Sequence, residues 1–369
     1  MKRYSFPLLC ATLLSVPVFA APIPFYIGTY TSSSESLGIY RATFDGETGA
    51  LSIPTLSAKL QDPSFLAMTP DGKTLLAVSE TQGGSVHSFE VNSDGSLKEL
   101  SRQSSEGAAP CHLALDRGGH YVVVANYAGG TVSAFPLSAE GTLSPASSVK
   151  RHRGTGPVET RQEAAHPHGV HYLTGGRQFM VPDLGTDRVE IYRLDPSGRM
   201  VGGGAEGFAV PPGSGPRHCA VSGGTVWVLN ELSCTVVEAR RAANGTWQLS
   251  EPISTLPSGW KGTNTCAEIL VHPGGKWVYA TNRGHDSVAR FERKAGGGLR
   301  FLGTTPTGGK TPRNAALSPD GGHLIVANQD SGTLGAFRVD SDTGDLHPVG
   351  KPVQVPKPVC VLFTQQTGR

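Results

Sequence analysis

Short apolar runs separated by turn residues recur along this chain, and no stretch sustains a helical period, so strands are predicted nearly throughout. Six segments stack on one another: Asp62 onward (DPSFLAMTPDGKTLLAVSE), Ala109 onward (APCHLALDRGGHYVVVANY), His166 onward (HPHGVHYLTGGRQFMVPDL), Gly215 onward (GPRHCAVSGGTVWVLNE), Asn264 onward (NTCAEILVHPGGKWVYATNR) and Thr311 onward (TPRNAALSPDGGHLIVANQ). The repeat length is about fifty residues, that of one supersecondary unit. Each unit opens on proline or a small residue, followed by a short apolar strand, a turn such as Pro70-Asp71-Gly72, and a strongly apolar strand such as Leu75 to Val78. An alternating strand comes next (Ser85 to Val91), then an Asp94-Gly95 turn and a fourth short strand from Ser96 to Leu100. Asp-Gly and Gly-Gly tolerate the positive φ of tight hairpins, so neighbouring strands are antiparallel.

Four strands per unit, repeated, is a β-propeller. The ends supply one further blade. Lys357 to Phe363 matches only the first strand of a unit, whereas Phe25 to Tyr30 and Gly38 to Leu51 match the second, third and fourth. The expected fold is therefore all-β: a seven-bladed propeller with one blade shared between the termini, which closes the ring without a free edge.

In an antiparallel meander the start of the first strand and the end of the second lie at the same sheet end, so these positions from every blade converge on one rim of the channel. The first register reads Ser64-Phe65, Cys111-His112, His168-Gly169, Arg217-His218, Ala267-Glu268, Arg313-Asn314 and Val359-Cys360. The second reads Thr29-Tyr30, Ser79-Glu80, Asn126-Tyr127, Asp183-Leu184, Asn230-Glu231, Asn282-Arg283 and Asn328-Gln329. Polar groups around a narrow mouth cost desolvation energy, which is tolerated where a ligand uses them. His168, Arg217, His218, Glu231, Glu268, Arg283, His285 and Arg313 come mainly from four consecutive blades, which predicts an off-centre site. His168 stands out, because His-Pro-His presents an imidazole that titrates near neutral pH at the head of an inner strand. Plainer roles compete: His112 and His218 as loop caps, Glu231 as an inter-blade bridge to Arg217 or Arg283, and His285-Asp286 as a loop hydrogen-bond pair. Asn126, Asn230, Asn282 and Asn328 recur by register and read as loop caps. Calcium would want converging carboxylates, but Glu80, Asp183, Glu231 and Glu268 are spread among blades and interleaved with arginines. Those arginines suit an anionic small molecule. No G-x-S-x-G nucleophile elbow occurs.

Composition changes the picture in three places. Residues 1–20, with Lys2 and Arg3 before an apolar stretch and a small-residue end at Ala20, read as a signal peptide, leaving one domain over 21–369 and a periplasmic or secreted location. Loss of Lys2 and Arg3 takes Lys+Arg from 32 to 30 against 30 acidic residues, and a neutral chain is not expected to bind nucleic acid. No later run approaches spanning length, so no membrane association is expected after cleavage, and a monomer is expected. Cys10 leaves with the leader; Cys111, Cys219, Cys234, Cys266 and Cys360 stay, mostly in apolar runs that suit unpaired core thiols. With no C-x-x-C pair, a structural zinc site is not expected.

The runs Tyr26 to Thr31, Pro110 to Leu113, His166 to His168, Gly215 to His218, Leu229 to Leu232, Asn282 to Ser287 and Thr311 to Asn314 together resemble the propeller 6-phosphogluconolactonase, or cycloisomerase 2, family, which includes the fungal carboxy-cis,cis-muconate lactonizing enzyme. The resemblance spans essentially the whole mature chain. It implies a metal-independent, cofactor-free site that opens or forms a lactone. His168 and Glu231 resemble the family's acid/base pair, and Arg217 and Arg283 its anion-holding arginines; His112, His218, Glu268, His285, Arg313 and Asn314 are expected to line the substrate. An export signal sits awkwardly with a cytosolic phosphorylated sugar lactone, so an unphosphorylated aldonolactone or an aromatic-catabolism lactone stays open. A cycloisomerase, or a non-catalytic propeller binding a ligand or protein, are the competing expectations.

Overall fold

The computed structural model describes residues 22–32 and 34–364, so the expected leader lies outside the described residues. Seven antiparallel sheets form, each built on a four-stranded meander, with a fifth short segment added in two of them. Blade 1 is the shared one: its innermost strand is Pro358–Phe363, followed outward by Ile23–Thr29, Gly38–Phe44 and Thr55–Lys59. The fourth strand starts later than the sequence pattern suggests. An Asp45-led turn, with Gly49 at φ 72°, holds the intervening residues in a loop, and Leu51 contributes only an isolated bridge to Phe44. Blades 2 to 7 begin with the innermost strands Leu66–Met68, Pro110–Leu115, His171–Tyr172, Pro216–Ser222, Thr265–Val271 and Pro312–Leu317. In blades 4 and 5 the outermost strand is interrupted, and a second short segment, Phe208–Ala209 or Ile253–Ser254, pairs with the third strand. The one helical element among the described residues is a 3-10 turn at Gly204–Glu206.

Second strands such as Tyr121–Asn126 (YVVVAN) and His323–Asn328 (HLIVAN) are continuous apolar runs because neighbouring blades cover both faces of each sheet. The core is accordingly divided into clusters at the seven blade junctions; the one joining blades 7 and 1, for example, packs Ile325, Ala327 and Leu334 against Phe25, Phe44 and Phe363. Gly28 is needed where blade 1 meets blade 2, since a Cβ there would stand 2.3 Å from the Pro63 carbonyl oxygen.

One local device fixes the rim. Asp62, Ala109, Gly215, Thr311 and Lys357, each directly before a proline, are left-handed, with φ of 43°, 51°, 61°, 60° and 47°. Non-glycine residues pay a strain of roughly 1–3 kcal/mol for this conformation, and here it turns the carbonyl toward the end of the second strand. Tyr30, Glu80, Tyr127, Glu231 and Gln329 donate their amides to those carbonyls at 2.7–3.0 Å. The innermost strand then bulges: pairing shifts at Pro110/His112, Pro216/His218, Cys266/Ile269 and Pro312/Asn314. A bulge re-aims the side chains beside it, and Cys111, Arg217, Glu268 and Arg313 sit at these steps.

Candidate active site

Glu231 is the hub of the rim. Its side chain is buried, and three guanidinium groups converge on it: Arg161 Nη2 at 2.7 Å from Oε1, Arg217 Nη1 at 3.1 Å and Arg283 Nη2 at 2.9 Å from Oε2. Burial alone would raise this carboxyl, but Arg283, Arg217 and Arg161 overcome that cost and hold it at about 2. Arg217 Nε also donates to the Ala267 carbonyl (2.8 Å), and Arg283 Nη2 to that of Cys266 (2.9 Å), so both forks are fixed by the backbone of blade 6.

Arg217 Nη1 also donates to His168 Nε2. A guanidinium has no acceptor, so His168 Nε2 carries a lone pair and the ring proton belongs on Nδ1, which faces Cys111 Sγ at 3.6 Å. Burial, and then the positive charge of Arg217, hold His168 well below its ordinary value; its imidazole is neutral at physiological pH.

Across the mouth, Arg313 donates to the Tyr30 hydroxyl (2.7 Å), which donates in turn to Glu80 Oε2 (2.9 Å). One residue further along the inner strands lies a second tier: His218 Nδ1 meets Glu268 Oε1 at 3.1 Å, and Asn314 Nδ2 donates to Glu268 Oε2 at 2.6 Å. The Asn314 side-chain oxygen accepts Val361 N, tying blade 7 to blade 1. His112 stacks on Phe65 (3.9 Å between centroids) and accepts Val170 N (3.2 Å), the loop-capping role. A cavity between the tiers is lined by Ser64, Glu80, Cys111, Arg217, His218 and Arg313, among others. Ser64 Oγ and His218 Nε2 on its wall are buried without a protein hydrogen-bond partner.

The site residues read from the sequence thus fall into one channel, with an exception. His285 bonds Ser287 Oγ (2.7 Å), receives its backbone order from Asn264 and packs on Trp260, so its contacts are those of a loop residue. The four register asparagines are fully buried. Asn126 and Asn282 each donate to a neighbouring loop carbonyl, that of Ser105 and Thr255 respectively, and Asn230 and Asn328 each donate to the hydroxyl of the threonine five residues on. Nor is the site confined to four blades: Tyr30, Glu80 and Tyr127 complete the circle.

Arg161 was not among the sequence candidates. It belongs to the long connection between Ser148–Arg151 and blade 4, outside the repeat. The next residue, fully buried Gln162, anchors it by donating to the Leu184 carbonyl and Asp187 Oδ1, both at 2.8 Å. The extra length of this connection was its one sequence signal. Among the described residues, no group of three or more His, Cys, Asp or Glu is placed to hold a metal ion.

Residues 24–363 match the family model described as lactonase, 7-bladed β-propeller. A Bacillus subtilis protein named 6-phosphogluconolactonase is 35% identical over 347 residues, covering 92% of this chain and 98% of that one. A 6-phosphogluconolactonase from Formosa agariphila is 32% identical over 332 residues, covering 87% and 94%. The solved structure of the Pseudomonas aeruginosa periplasmic gluconolactonase superposes with a TM-score of 0.88 at 31% identity, over 93% of this chain and 99% of that one. With its ring of seven sheets, its continuous match to the family model and relatives at this identity over nearly their whole length, the chain belongs to the seven-bladed β-propeller lactonase family.

Proposed function

We propose that the protein hydrolyses a small anionic sugar lactone at the rim of its channel, by acid/base chemistry that uses no metal. Its relatives named for 6-phosphogluconolactone and gluconolactone hydrolysis support the reaction class. The observation that carries the charge of the substrate is the imbalance at the mouth: Arg161, Arg217, Arg283 and Arg313 converge on Glu231 and on the Tyr30–Glu80 pair, while Glu268 is engaged by His218 and Asn314 in the second tier. A carboxylate or phosphate on the substrate would meet that excess bidentately.

In this reading Arg217 and Arg283 hold the lactone carbonyl and then the tetrahedral oxyanion. When the substrate draws Arg217 onto itself, His168 Nε2 is released and takes a proton from the attacking water. The oxyanion collapses, the ring C–O bond breaks, and the imidazolium returns the proton to the leaving alkoxide. Glu231 stays ionised throughout and keeps the three arginines converged. His218 Nε2 and Ser64 Oγ, both lacking a protein partner, are suited to bond the hydroxyls of the sugar.

The deciding experiment offers purified protein gluconolactone, its 6-phosphate and a muconolactone while acid release is followed. Faster hydrolysis of the 6-phosphate than of neutral gluconolactone supports the proposal, equal rates on the two would remove the anionic requirement, and silence with all three favours a ligand-binding propeller. We also propose that residues 1–20 are removed on export and that the ring acts alone, outside the cytoplasm, as the periplasmic location named for the Pseudomonas relative suggests. An N-terminus at Ala21 and a monomeric mass in the periplasmic fraction would bear this out.

A further inference from the structure

At the junction of blades 5 and 6, close beneath Glu231 and Arg283, the thiols of Cys234 and Cys266 share one small polar network: Cys234 Sγ lies 3.7 Å from the Glu231 carbonyl oxygen and 3.2 Å from Asn264 Nδ2, and Cys266 Sγ lies 3.2 Å from Thr255 Oγ1. Both belong to one buried cluster, with Cys234 7% exposed and Cys266 0%. The same polar side chains hold the two sulfurs in place. Asn264 Nδ2 is 3.2 Å from Cys234 Sγ and 3.1 Å from Asn282 Oδ1, and that oxygen is 3.4 Å from Cys266 Sγ. Thr255 Oγ1 is 3.2 Å from Cys266 Sγ and 3.1 Å from the Cys234 carbonyl oxygen. The other thiols lie elsewhere: Cys111 against His168, Cys219 between blades 4 and 5, and Cys360 between blades 1 and 2.

We propose that Cys234 and Cys266 are an oxidisable pair that closes to a disulfide, strapping blade 5 to blade 6 under the candidate active site. The oxidant required is a small aliphatic disulfide or a disulfide-bearing protein. Cys234 is the entry point, being the less buried of the two, and the neighbouring Cys266 thiol and then the Asn264 amide lower its thiol below the ordinary value, which favours the thiolate there. Burial pushes Cys266 the other way. The Cys234 thiolate attacks one sulfur of the oxidant, whose S–S bond breaks and whose second sulfur leaves as a thiolate. Cys266 then loses its proton and attacks Cys234 Sγ, expelling the remaining half. Two protein thiols are oxidised, one external disulfide is reduced to two thiols, and these take up both protons.

The strap bears on the site through the backbone. Cys266 N donates to the Glu231 carbonyl at 3.1 Å, and the Cys266 carbonyl accepts Arg283 Nη2. Oxidation therefore fixes the segment from which both side chains are held. Closing a loop of this length also restricts the unfolded chain.

The test uses the intact protein, incubated with oxidised glutathione or with dithiothreitol, then denatured in acid, alkylated and weighed. The expected result is two fewer alkylatable thiols after oxidation, a mass lower by two hydrogens before alkylation, and a peptide joining Cys234 to Cys266. Tm should rise by about 5 °C and return with dithiothreitol. In Cys266→Ser the reaction should stop at a glutathione adduct on Cys234, and in Cys234→Ser no cross-link should form. The proposal is overturned if the wild-type protein keeps every thiol, accumulates a stable glutathione adduct at Cys234, or joins Cys234 to another cysteine. These wild-type measurements decide the matter even if a serine variant fails to fold.

Discussion

Replacing Glu231 by Gln removes one charge and almost no volume from the centre of the site, so its effect isolates the electrostatics. The carboxyl is held at about 2 against an ordinary value of 4.5, by three guanidiniums within 3.1 Å. At 1.36 kcal/mol per pH unit, that gap corresponds to about 3 kcal/mol of stability carried by the ionised form. The figure lies at the edge of the 3–5 kcal/mol range for breaking a buried ion pair by removing one partner. Because folding lowers this group, its contribution is complete above 4.5 and fades as the pH falls toward 2. Urea unfolding of the wild type and E231Q should therefore differ by about 3 kcal/mol at neutral pH, with the difference shrinking at acid pH. With Arg217 and Arg283 no longer converged, lactone hydrolysis should fall on the order of 10²-fold, chiefly in kcat. A variant as stable as the wild type at neutral pH would refute the hub role of Glu231, and a difference that grew with acidity would refute its cause.

His168→Ala and Arg217→Ala should each lower kcat by about 10²–10⁴-fold in a folded protein; activity retained in both would remove the mechanism. Since His168 is held below its ordinary value of 6.5, kcat/KM should keep its plateau down through that pH and fall only in more acid solution, where the imidazole charges. An acid limb centred at or above 6.5 would contradict a buried, neutral His168. Prolonged treatment with EDTA should leave the rate unchanged; a loss restored by a divalent cation would point to metal-dependent hydrolysis. Asn282→Ala, which strips partners from the Thr255 carbonyl and hydroxyl and from Ser287, should cost roughly 1–3 kcal/mol by urea unfolding.

The ring, the split blade and the converging registers were legible because the blades solve the same problem with recurring residues: a covered apolar second strand, a proline after a left-handed residue in five blades, and a loop-capping asparagine in four. Where the repeat lapses, so does the legibility. The outermost strand of blade 1 was misplaced because Thr55–Lys59 lies at the exposed edge, where no buried face disciplines the pattern. His285 follows Arg283 by two residues, yet it turns to Ser287 and Trp260, a choice made by local packing. Arg161 comes from a connection unique to one junction and is positioned by Gln162. The contact between Cys234 and Cys266 depends on how two blades sit together, which neither segment encodes alone.

On the proposed mechanism the same geometry would give the substrate's charge a part in turnover as well as in binding. Arg217 holds Glu231 and His168 at once, so while it rests on the imidazole, Nε2 has no lone pair for a water. A ligand bearing a carboxylate or phosphate competes for the surplus guanidinium charge and can draw Arg217 away, whereas a neutral lactone has less to offer against Glu231. On the proposed mechanism, the group that would recognise the anion is therefore the group that masks the base. This contact engages His168 Nε2 and offsets part of the cost of burying several cations around one channel. The proposed chemistry would also run in both directions: the imidazolium that protonates the leaving alkoxide in hydrolysis would, as imidazole, deprotonate the corresponding hydroxyl for ring closure. On that proposal the balance between opening and forming a lactone would rest on the substrate's own equilibrium and on water's access to the rim, with the same residues serving both directions.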